Sequence, residues 1–375
     1  MALLARSMLE SNMDQIAKSD FDHQKVFGSA YYVYQEGNVS FGKCYGSLSP
    51  EVAMPVTNTT IFRLASMTKP ITAFATLILV DRKVLSLDDS IDKFLPEFKN
   101  IKIQDHNKNQ TVPQNIPTIR NLLSHTSGIG NDSGTLLPMT DKDKLTLDSS
   151  VEYYLRNGLA FEPNTMQEYS GVGAFDVMAK IIETATKTDY LTFLKKEIFE
   201  PCKMFDTTFS PSQEQLTRII DMHQKNNGKS DTFKMADGCI FEDIPCSHYL
   251  GGAGLISSIY DYGNFAKMLL NKGKTESRQL LREEIFDLIS TPQVSEKIMP
   301  GNTRWGLGVR VIVDNTYPYL PKGSFGWSGA YGSHFWINPT DNVFAVFMKN
   351  SKHDGGAGNY SAVEFEKIFF LSKND

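Results

Sequence analysis

Strand-like alternation lies at both ends of this 375-residue chain, and helical spacing fills the middle. Near the start, residues 30–34 and 39–43 alternate on either side of a Glu-Gly-Asn turn, which predicts a β-hairpin. Near the end, residues 306–313, 332–338 and 343–348 predict three further strands. Strands at both termini with helices between them predict an α+β fold, in which one antiparallel sheet is flanked by helices and carries an inserted, mainly helical domain.

The helical segments divide the chain into two predicted domains. Helical spacing recurs through the middle and again after the last strand, at residues 119–123, 147–157, 174–186, 190–198 and 361–371. Apolar residues between Leu3 and Ile16 predict an amphipathic N-terminal helix docked on the fold. We expect a discontinuous α/β sheet domain at 1–82 and 250–375, and a mainly helical domain at 83–249. Polar loops, roughly 130–145 and 209–249, are expected to line a pocket.

Composition and charge limit which partners, cofactors and cellular locations are expected for the protein. The net charge of −5 and the absence of a Lys/Arg cluster argue against nucleic acid. No segment has transmembrane length, and Glu10 interrupts the short apolar run at the N-terminus, so neither a membrane span nor a signal peptide is predicted. The four cysteines form no Cys-x-x-Cys pair, which favours free thiols and a cytoplasmic location. No metal-ligand spacing and no dinucleotide fingerprint occurs, so no metal or cofactor is expected, and the oligomeric state stays open.

Ser-x-x-Lys is the spacing in this sequence that can make a nucleophile, and it occurs three times. A lysine amine on the same helix face as a serine can accept the hydroxyl proton if burial disfavours its charged form. The copy at Ser40 lies in a predicted strand, where its serine and lysine point to opposite faces. The copy at Ser90 lies in an acidic stretch without an apolar run to bury its lysine. We therefore expect neither of these two to be catalytic.

The third copy, Ser66-Met67-Thr68-Lys69, precedes a segment that is apolar nearly all round, residues 71–80. Such a helix is buried rather than amphipathic. Pro70 places the helix start near Ser66, because proline is tolerated in the first turn and not deeper. Ser66 then lies among free backbone N–H groups at the positive end of the helix dipole, where a nucleophile is favoured. On these residues alone, a capping serine followed by a surface lysine is the alternative.

A Ser-Lys nucleophile also needs a second proton-transfer group and an oxyanion hole. Tyr169 stands in a loop-like stretch before a predicted helix, where a phenol near a lysine can transfer a proton, although without further context a buried structural tyrosine is the favoured interpretation. The glycine-rich segment 326–332 allows close backbone approach to a ligand. The segment lies just before a predicted strand, and an N–H on that edge strand can complete an oxyanion hole with the N–H of Ser66. The alternative is a tight turn with a core tryptophan.

Taken together, these motifs resemble the penicillin-recognising serine hydrolases, a family that includes class C β-lactamases, D,D-peptidases and family VIII carboxylesterases. The resemblance spans residues 25–370 in order. It is carried by Ser66-Met67-Thr68-Lys69, by Tyr169-Ser170 and by Trp327-Ser328-Gly329. Four further segments are similar to family blocks: Leu-Leu-Ser-His-Thr-Ser-Gly-Ile at 122–129, Phe-Glu-Pro-Asn at 161–164, Gly-Gly-Ala-Gly-Leu-Ile-Ser-Ser at 251–258 and Trp-Gly-Leu-Gly at 305–308. His125, in the first of these blocks, is interpreted as a packing residue.

The resemblance implies a β-lactamase/transpeptidase-like fold with the site between its two domains. It implies that Ser66 is acylated, that Lys69 and Tyr169 exchange protons, and that the N–H groups of Ser66 and Ala330 hold the oxyanion. Which of Lys69 and Tyr169 is the acylation base is left open, since the two can titrate as a pair. Substrate-binding positions implied in the same way are Trp327, Ser328, Gly329 and Gly171.

Two departures from the family pattern bear on the substrate. The second motif often ends in asparagine, and here it ends in Gly171, so an amide that can grip a peptide-like side chain is missing. The third motif often begins with a cation, and here Trp327 offers an aromatic face and one N–H. Both changes favour small neutral esters and similarity to the family VIII carboxylesterase branch. A β-lactamase or D-amino-acid peptidase, an acyltransferase and a non-catalytic scaffold on the same fold are the alternatives, and ester, lactam or D-peptide preference stays open.

Overall fold

The computed structural model describes residues 6–23, 25–35, 37–51, 53–105, 107–130, 146–226, 229–233 and 249–374. Its helices are α1 Arg6–Asp22, α2 Thr68–Asp81, α3 Ile119–Leu123, α4 Leu147–Asn157, α5 Gly173–Thr186, α6 Tyr190–Leu194, α7 Gln213–Leu216, α8 Ile259–Leu270, α9 Glu283–Ser290 and α10 Tyr360–Asn374. Its strands are β1 Gly28–Gln35, β2 Asn38–Gly46, β3 Ile61–Arg63, β4 Ile103–Gln104, β5 Gln110–Thr111, β6 Met222–Asn226, β7 Lys229–Phe233, β8 Ile256–Ser258, β9 Thr303–Trp305, β10 Arg310–Ile312, β11 Phe325–Ser328, β12 His334–Asn338 and β13 Val343–Lys349.

Seven strands form the main sheet, in the order β2-β1-β13-β12-β11-β10-β9. Every neighbouring pair in it is antiparallel. The first and last strands of the sheet in sequence lie side by side, from Ser29 opposite Lys349 to Gln35 opposite Val343. The prediction of one antiparallel sheet made from both ends of the chain is therefore confirmed, together with the hairpin of β1 and β2.

Helices cover both faces of this sheet because side chains alternate along each strand. On one face, Phe335, Phe344 and Val346 join the large core that holds α2, α5 and α8. On the opposite face, Tyr31 and Phe347 pack with apolar residues of α1 and α10, namely Leu9, Met13, Ile16, Phe365 and Ile368. The predicted amphipathic N-terminal helix therefore docks on the sheet from residue 6 onwards.

Helix α2 runs through the centre of the large core, and its residues from Thr68 to Leu79 are buried. This confirms the buried helix that residues 71–80 predicted. The predicted central helices are also found, although the segment expected at 190–198 is α6 followed by a π-helical turn at Lys195–Phe199.

Two predictions about the strands were wrong. Residues 306–309 are a turn between β9 and β10, whereas a strand was expected over 306–313. Gly308 has φ of 70°, which a strand does not accommodate, and a Cβ there would lie 2.9 Å from the Lys69 carbonyl oxygen. The strand that follows the glycine-rich segment 326–332 was expected at the edge of a sheet, but this strand, β12, lies between β13 and β11.

Parts of the predicted organisation fall outside what the structure describes. Residues 131–145 and 234–248, which hold much of the expected pocket-lining loops, are outside the described residues, as are Cys239 and Cys246. Cys44 and Cys202 are free thiols, in line with the predicted cysteine chemistry. The division into 1–82 with 250–375 and 83–249 stays a prediction.

Candidate active site

Ser66 lies in a short 3₁₀ turn, Ala65–Met67, that leads directly into α2. Ala65 holds a left-handed backbone angle, φ of 45°, an unusual conformation for a residue with a Cβ. The turn is anchored by the Leu64 N–H, which donates to the Leu255 carbonyl at 2.9 Å, and by the Tyr262 hydroxyl, which donates to the Met67 carbonyl at 2.9 Å. The sharp entry into a buried helix leaves Ser66 half-exposed at its start.

Lys69 is completely buried one turn further along. Its Nζ lies 3.1 Å from the Ser66 Oγ, and donates to the carbonyl oxygens of Gly171 at 2.6 Å and Gly252 at 2.8 Å. The rings of Tyr169 and Phe175 lie 5.0 Å and 5.4 Å from the same nitrogen. The amine therefore has fixed acceptors on two sides and the serine oxygen on a third.

Tyr169 reaches Ser66 from the other side. Its hydroxyl donates to the Ser66 Oγ at 2.7 Å, and the Trp327 Nε1–H donates to the Tyr169 oxygen at 3.2 Å. The three residues predicted as a catalytic group, Ser66 of the 3₁₀ turn, Lys69 of α2 and Tyr169 of a loop about 100 positions away, are thus brought together around the Ser66 Oγ. The single donor of the Trp327 indole is directed at Tyr169.

His125 holds the Tyr169 loop in place. Its carbonyl accepts the Glu168 N–H at 3.1 Å and its Nδ1 accepts the Ser170 N–H at 3.1 Å, so it binds the chain on both sides of the tyrosine. Burial, with a smaller contribution from the positive charge of Lys69, holds the pKa of His125 well below its ordinary value. A neutral imidazole matches an Nδ1 that accepts a hydrogen bond, and agrees with the interpretation of His125 as a packing residue.

Aromatic rings form a wall beside these groups. The Trp305 and Trp327 ring centroids are 4.5 Å apart, and Tyr169 stacks on Trp305 at 5.7 Å with an interplanar angle of 20°. The His125 ring lies 4.3 Å from Trp305. The surroundings of Ser66 on this side are therefore apolar and rigid.

The end of β11 approaches the Ser66 turn closely. A Cβ on Gly329 would lie 2.4 Å from the Leu64 carbonyl oxygen, so only glycine permits this distance. Ala330 follows at an exposed position, and its N–H makes no hydrogen bond to any residue in the described ranges. The segment that carries the Ala330 N–H therefore runs beside the turn that holds Ser66, as the predicted oxyanion hole requires.

Ser328 does not face the same way. Its hydroxyl lies 2.8 Å from the His334 Nδ1, and the His334 Nε2 lies 3.0 Å from the Glu366 carboxylate of α10. Ser328 and His334 are directly opposite each other in β11 and β12, on the face that α10 covers. Because side chains alternate along a strand, Trp327 on the active-site face places Ser328 on the opposite face, against its predicted role in substrate binding.

Gly171 contributes its carbonyl to Lys69 and leaves space beside the site. A Cβ added at Gly171 would meet no atom within 4 Å. The asparagine expected from the family pattern is therefore replaced by open volume.

Within the part of the chain that the structure describes, no three His, Cys, Asp or Glu side chains come together as metal ligands. In the same residues, no helix combines the length and the apolar character needed to cross a membrane.

Comparison with known proteins identifies the family. The beta-lactamase family model matches residues 9–364. The chain belongs to the beta-lactamase family. Esterase EstB of Burkholderia gladioli is 25% identical to it, over 95% of this chain and 94% of EstB. Penicillin-binding protein 4* of Bacillus subtilis is 30% identical over 48% of this chain and 38% of that protein.

Solved structures of beta-lactamase-like proteins have the same fold. EstCE1, described as a hydrolase with promiscuous acyltransferase activity, superposes with a TM-score of 0.81 over 98% of this chain and 100% of its own, at 20% identity. The predicted fold class and the predicted enzyme class, a serine hydrolase of the beta-lactamase family, are confirmed.

Sequence reasoning missed several residues that shape this beta-lactamase-type site. The Gly252 carbonyl, Trp305 and the clamp by His125 follow from tertiary contacts rather than from spacing. One missed residue had a visible signal: Asp176 is an acidic residue among the buried apolar residues of a helix, and a buried carboxyl group needs a partner.

Proposed function

We propose that this protein is a serine esterase that hydrolyses small neutral esters through an acyl-enzyme on Ser66. The observation that carries the proposal is that the Ser66 Oγ contacts both the Lys69 Nζ, at 3.1 Å, and the Tyr169 hydroxyl, at 2.7 Å. Two groups that can carry a proton thus flank one hydroxyl. A non-catalytic scaffold has no need for this arrangement, so the geometry supports an enzyme.

The surroundings of Lys69 support its role in proton transfer. Carbonyl oxygens only accept hydrogen bonds, so Gly171 and Gly252 each take one N–H of the amine. A neutral amine has two N–H groups and one lone pair, and the lone pair is then directed at Ser66. In the ammonium form, the third N–H points at Ser66 instead. A proton can therefore be exchanged between Lys69 and Ser66.

We propose the following reaction. The Ser66 hydroxyl proton moves to Lys69 or Tyr169 as the Oγ attacks the ester carbonyl carbon. The negative oxygen of the tetrahedral intermediate is held by the N–H groups of Ser66 and Ala330. The intermediate collapses, and the alcohol leaves with the proton. Water then attacks the acyl carbon of the acyl-enzyme and gives a proton to the same pair. The bond between the acyl carbon and the Ser66 Oγ breaks, the pair returns the proton to the Oγ, and the acid is released.

The substrate class follows from what replaces the family's polar contacts. Gly171 carries no amide, and the Trp327 N–H is already directed at Tyr169, so neither residue presents a free polar group to a substrate carboxylate or peptide side chain. The aromatic wall of Trp305 and Trp327 favours apolar groups. The likeness to EstB, an esterase by name, points in the same direction.

Ser66→Ala tests the nucleophile. We expect this variant to lose hydrolysis of a p-nitrophenyl ester of a short acid by at least a thousandfold, because it lacks the Oγ that carries the acyl group. Ser90→Ala is the matched control, since Ser90 begins another Ser-x-x-Lys and its Lys93 pairs with Asp89 instead. A fluorophosphonate should add to the wild type and to Ser90→Ala, and not to Ser66→Ala, by intact mass. Unchanged hydrolysis by Ser66→Ala would refute the assignment.

A panel of substrates tests the ester preference on the same preparations. We expect p-nitrophenyl ester turnover to exceed nitrocefin turnover by at least a hundredfold. A nitrocefin rate above the ester rate would make the protein a β-lactamase instead. Adding an alcohol acceptor and measuring the new ester by mass spectrometry distinguishes acyl transfer from hydrolysis.

A further inference from the structure

Asp176 is a buried carboxyl group next to the proposed catalytic residues, and the mechanism above does not use it. It lies in the first turn of α5 and is completely inaccessible to solvent. Its Oδ1 accepts the Gly251 N–H at 2.9 Å. The residue that follows, Gly252, gives its carbonyl to Lys69 at 2.8 Å. One peptide unit therefore separates the Asp176 contact from the Lys69 contact.

The Gly251–Gly252 segment is fixed between α2 and α5. The Thr72 hydroxyl donates to the Gly251 carbonyl at 2.5 Å. A Cβ on Gly251 would lie 2.0 Å from the Phe175 carbonyl oxygen, and one on Gly252 would lie 2.9 Å from the Val172 Cα. With no space to shift sideways, the segment keeps its orientation through hydrogen bonds, and Asp176 supplies one of them.

Building on the esterase function proposed above, we propose that Asp176 is a positioning residue for Lys69. Its carboxyl group holds the Gly251–Gly252 segment, so that the Gly252 carbonyl directs the Lys69 amine at Ser66. A negative charge on this carboxyl group attracts a positive charge on Lys69, so it opposes release of the proton from Lys69 to the leaving alcohol and slows acylation.

The charge state of Asp176 is set by its surroundings. Burial raises its pKa to about 8, against the hydrogen bonds from Gly252 and Gly251 and the charge of Lys69, which lower it. The titratable groups facing it are Lys69 of α2, Tyr154 of α4 and Tyr190 of α6. Burial raises the pKa of both tyrosines well above the ordinary value, so they stay neutral below pH 9 and do not offset a charge on Asp176.

The direction of the pH effect follows. At pH 7 the carboxyl group of Asp176 is mostly protonated and neutral. As the pH rises through about 8, the group becomes a carboxylate, which attracts the ammonium form of Lys69 by the same interaction through which Lys69 favours the carboxylate. This attraction opposes the transfer of a proton from Lys69 to the leaving alcohol, a step that the proposed reaction requires. The ester kcat/KM of the wild type should therefore fall on the alkaline side.

Asp176→Asn is the decisive variant, because asparagine keeps the acceptor for the Gly251 N–H but cannot ionise. We measure kcat/KM for a p-nitrophenyl ester from pH 6 to pH 9. We expect Asp176→Asn to lie within about threefold of the wild type at pH 7 and to lack the decline near pH 8. Asp176→Leu removes the acceptor as well, and should lose at least tenfold at every pH. An unchanged decline in Asp176→Asn, or full activity in Asp176→Leu, would overturn the proposal.

Asp261→Asn is the matched control for burial. Asp261 is also a buried carboxyl with a raised pKa, caused first by desolvation, but its partners are the Asp206 N–H and the Thr207 hydroxyl rather than residues around Lys69. We expect Asp261→Asn to change stability and to leave the midpoint of the alkaline decline in place. A decline abolished equally by both variants would mean that Asp176 has no specific effect on Lys69.

Two measurements do not depend on activity. A raised pKa in the folded state means stability that is full below about pH 4 and is lost as the pH rises to about 8. The difference in melting temperature, Asp176→Asn minus wild type, should therefore increase as the pH rises from about 4 to about 8, and should stay constant at higher pH. If the variants fail to fold, the ¹³C carboxyl signal of wild-type Asp176 gives the midpoint directly, and a value near 4 would overturn the proposal. Failure of the esterase function itself is recognised separately, by unchanged turnover in Ser66→Ala.

Discussion

At the scale of single residues, Trp327 is the unusual member of the site, because an indole stands where the family pattern often has a cation. Its N–H donates to the Tyr169 oxygen at 3.2 Å, and so helps to orient the hydroxyl that contacts Ser66. We predict that Trp327→Phe, which keeps an aromatic ring and loses the donor, lowers kcat for an ester about tenfold with little change in KM. A tenfold loss corresponds to about 1.4 kcal/mol, which is in the range of one hydrogen bond. Steady-state kinetics at pH 7 measure this.

The control at this scale is Trp336→Phe. Trp336 lies in β12 and packs with the apolar residues on the opposite face of the sheet, near Phe365. It should leave kcat within about twofold even if it lowers stability. Equal losses in the two variants would show that Trp327 acts through packing rather than through its N–H.

Single residues also mark how far the sequence leads. Ser66, Lys69 and Tyr169 could be predicted, because a short spacing, a buried helix and a family pattern each constrain them. The orientation of Ser328 could not, since it depends on which face of β11 carries Trp327, and a strand reverses its faces with a shift of one residue. Asp176 and the Gly252 carbonyl come from contacts between distant segments, which no local pattern encodes.

At the scale of elements, the turn between β9 and β10 supports α2 beneath the site. A Cβ on Gly308 would lie 2.9 Å from the Ala73 Cβ and 2.9 Å from the Lys69 carbonyl oxygen. We predict that Gly308→Ala lowers the free energy of unfolding by about 1–2 kcal/mol for its positive φ and by a further 1–3 kcal/mol for crowding. Urea unfolding followed by circular dichroism measures the loss, and kcat should fall as well because the helix carrying Lys69 is displaced.

Gly323→Ala separates the effect of the positive φ from the effect of crowding. Gly323 has φ of 88°, close to the 70° of Gly308, and a Cβ there would meet nothing within 4 Å. This variant should lower the free energy of unfolding only by the cost of the positive φ, and should keep full activity. Equal losses at both positions would mean that the turn does not press on α2. The same turn explains the wrong strand prediction at 306–309, because apolar and glycine residues suit a buried turn as well as a strand.

At the scale of the whole molecule, the fold closes where the two ends of the chain meet. The alternation in residues 30–34 and 343–348 was enough to predict that both belong to one sheet. It could not give the neighbour order β1–β13, because pairing between strands some 300 residues apart depends on the complete core. The closure is completed by polar groups, Asp20 of α1, Lys349 of β13 and Ser361 of α10.

We predict that removing one member of this buried polar network, Asp20, Lys349 and Ser361, lowers the free energy of unfolding strongly. Replacing both charged members together should lower it less than the two single changes added. Lys349 is fully buried, with its Nζ 2.7 Å from Asp354 Oδ2, 2.9 Å from Ser361 Oγ and 3.8 Å from Asp20 Oδ2. Burial lowers the pKa of Lys349 and raises the pKa of Asp20, so desolvation outweighs the mutual attraction of the pair. We predict that Lys349→Met lowers the free energy of unfolding by about 3–5 kcal/mol, since it strands a buried carboxylate.

The double variant decides between attraction and desolvation. Asp20→Asn combined with Lys349→Met removes both buried charges, and should be less destabilised than the sum of the two single variants by about 1–3 kcal/mol. Lys18→Met is the control, because Lys18 and Asp22 form an exposed pair on α1, and it should change stability by less than about 1 kcal/mol. Urea unfolding followed by both tryptophan fluorescence and circular dichroism measures each value. If the loss of stability in the double variant equals the sum of the two single losses, then the charges of Asp20 and Lys349 do not interact. Ester turnover of all these variants should stay within about twofold of the wild type under native conditions, because the network lies on the face of the sheet opposite Ser66.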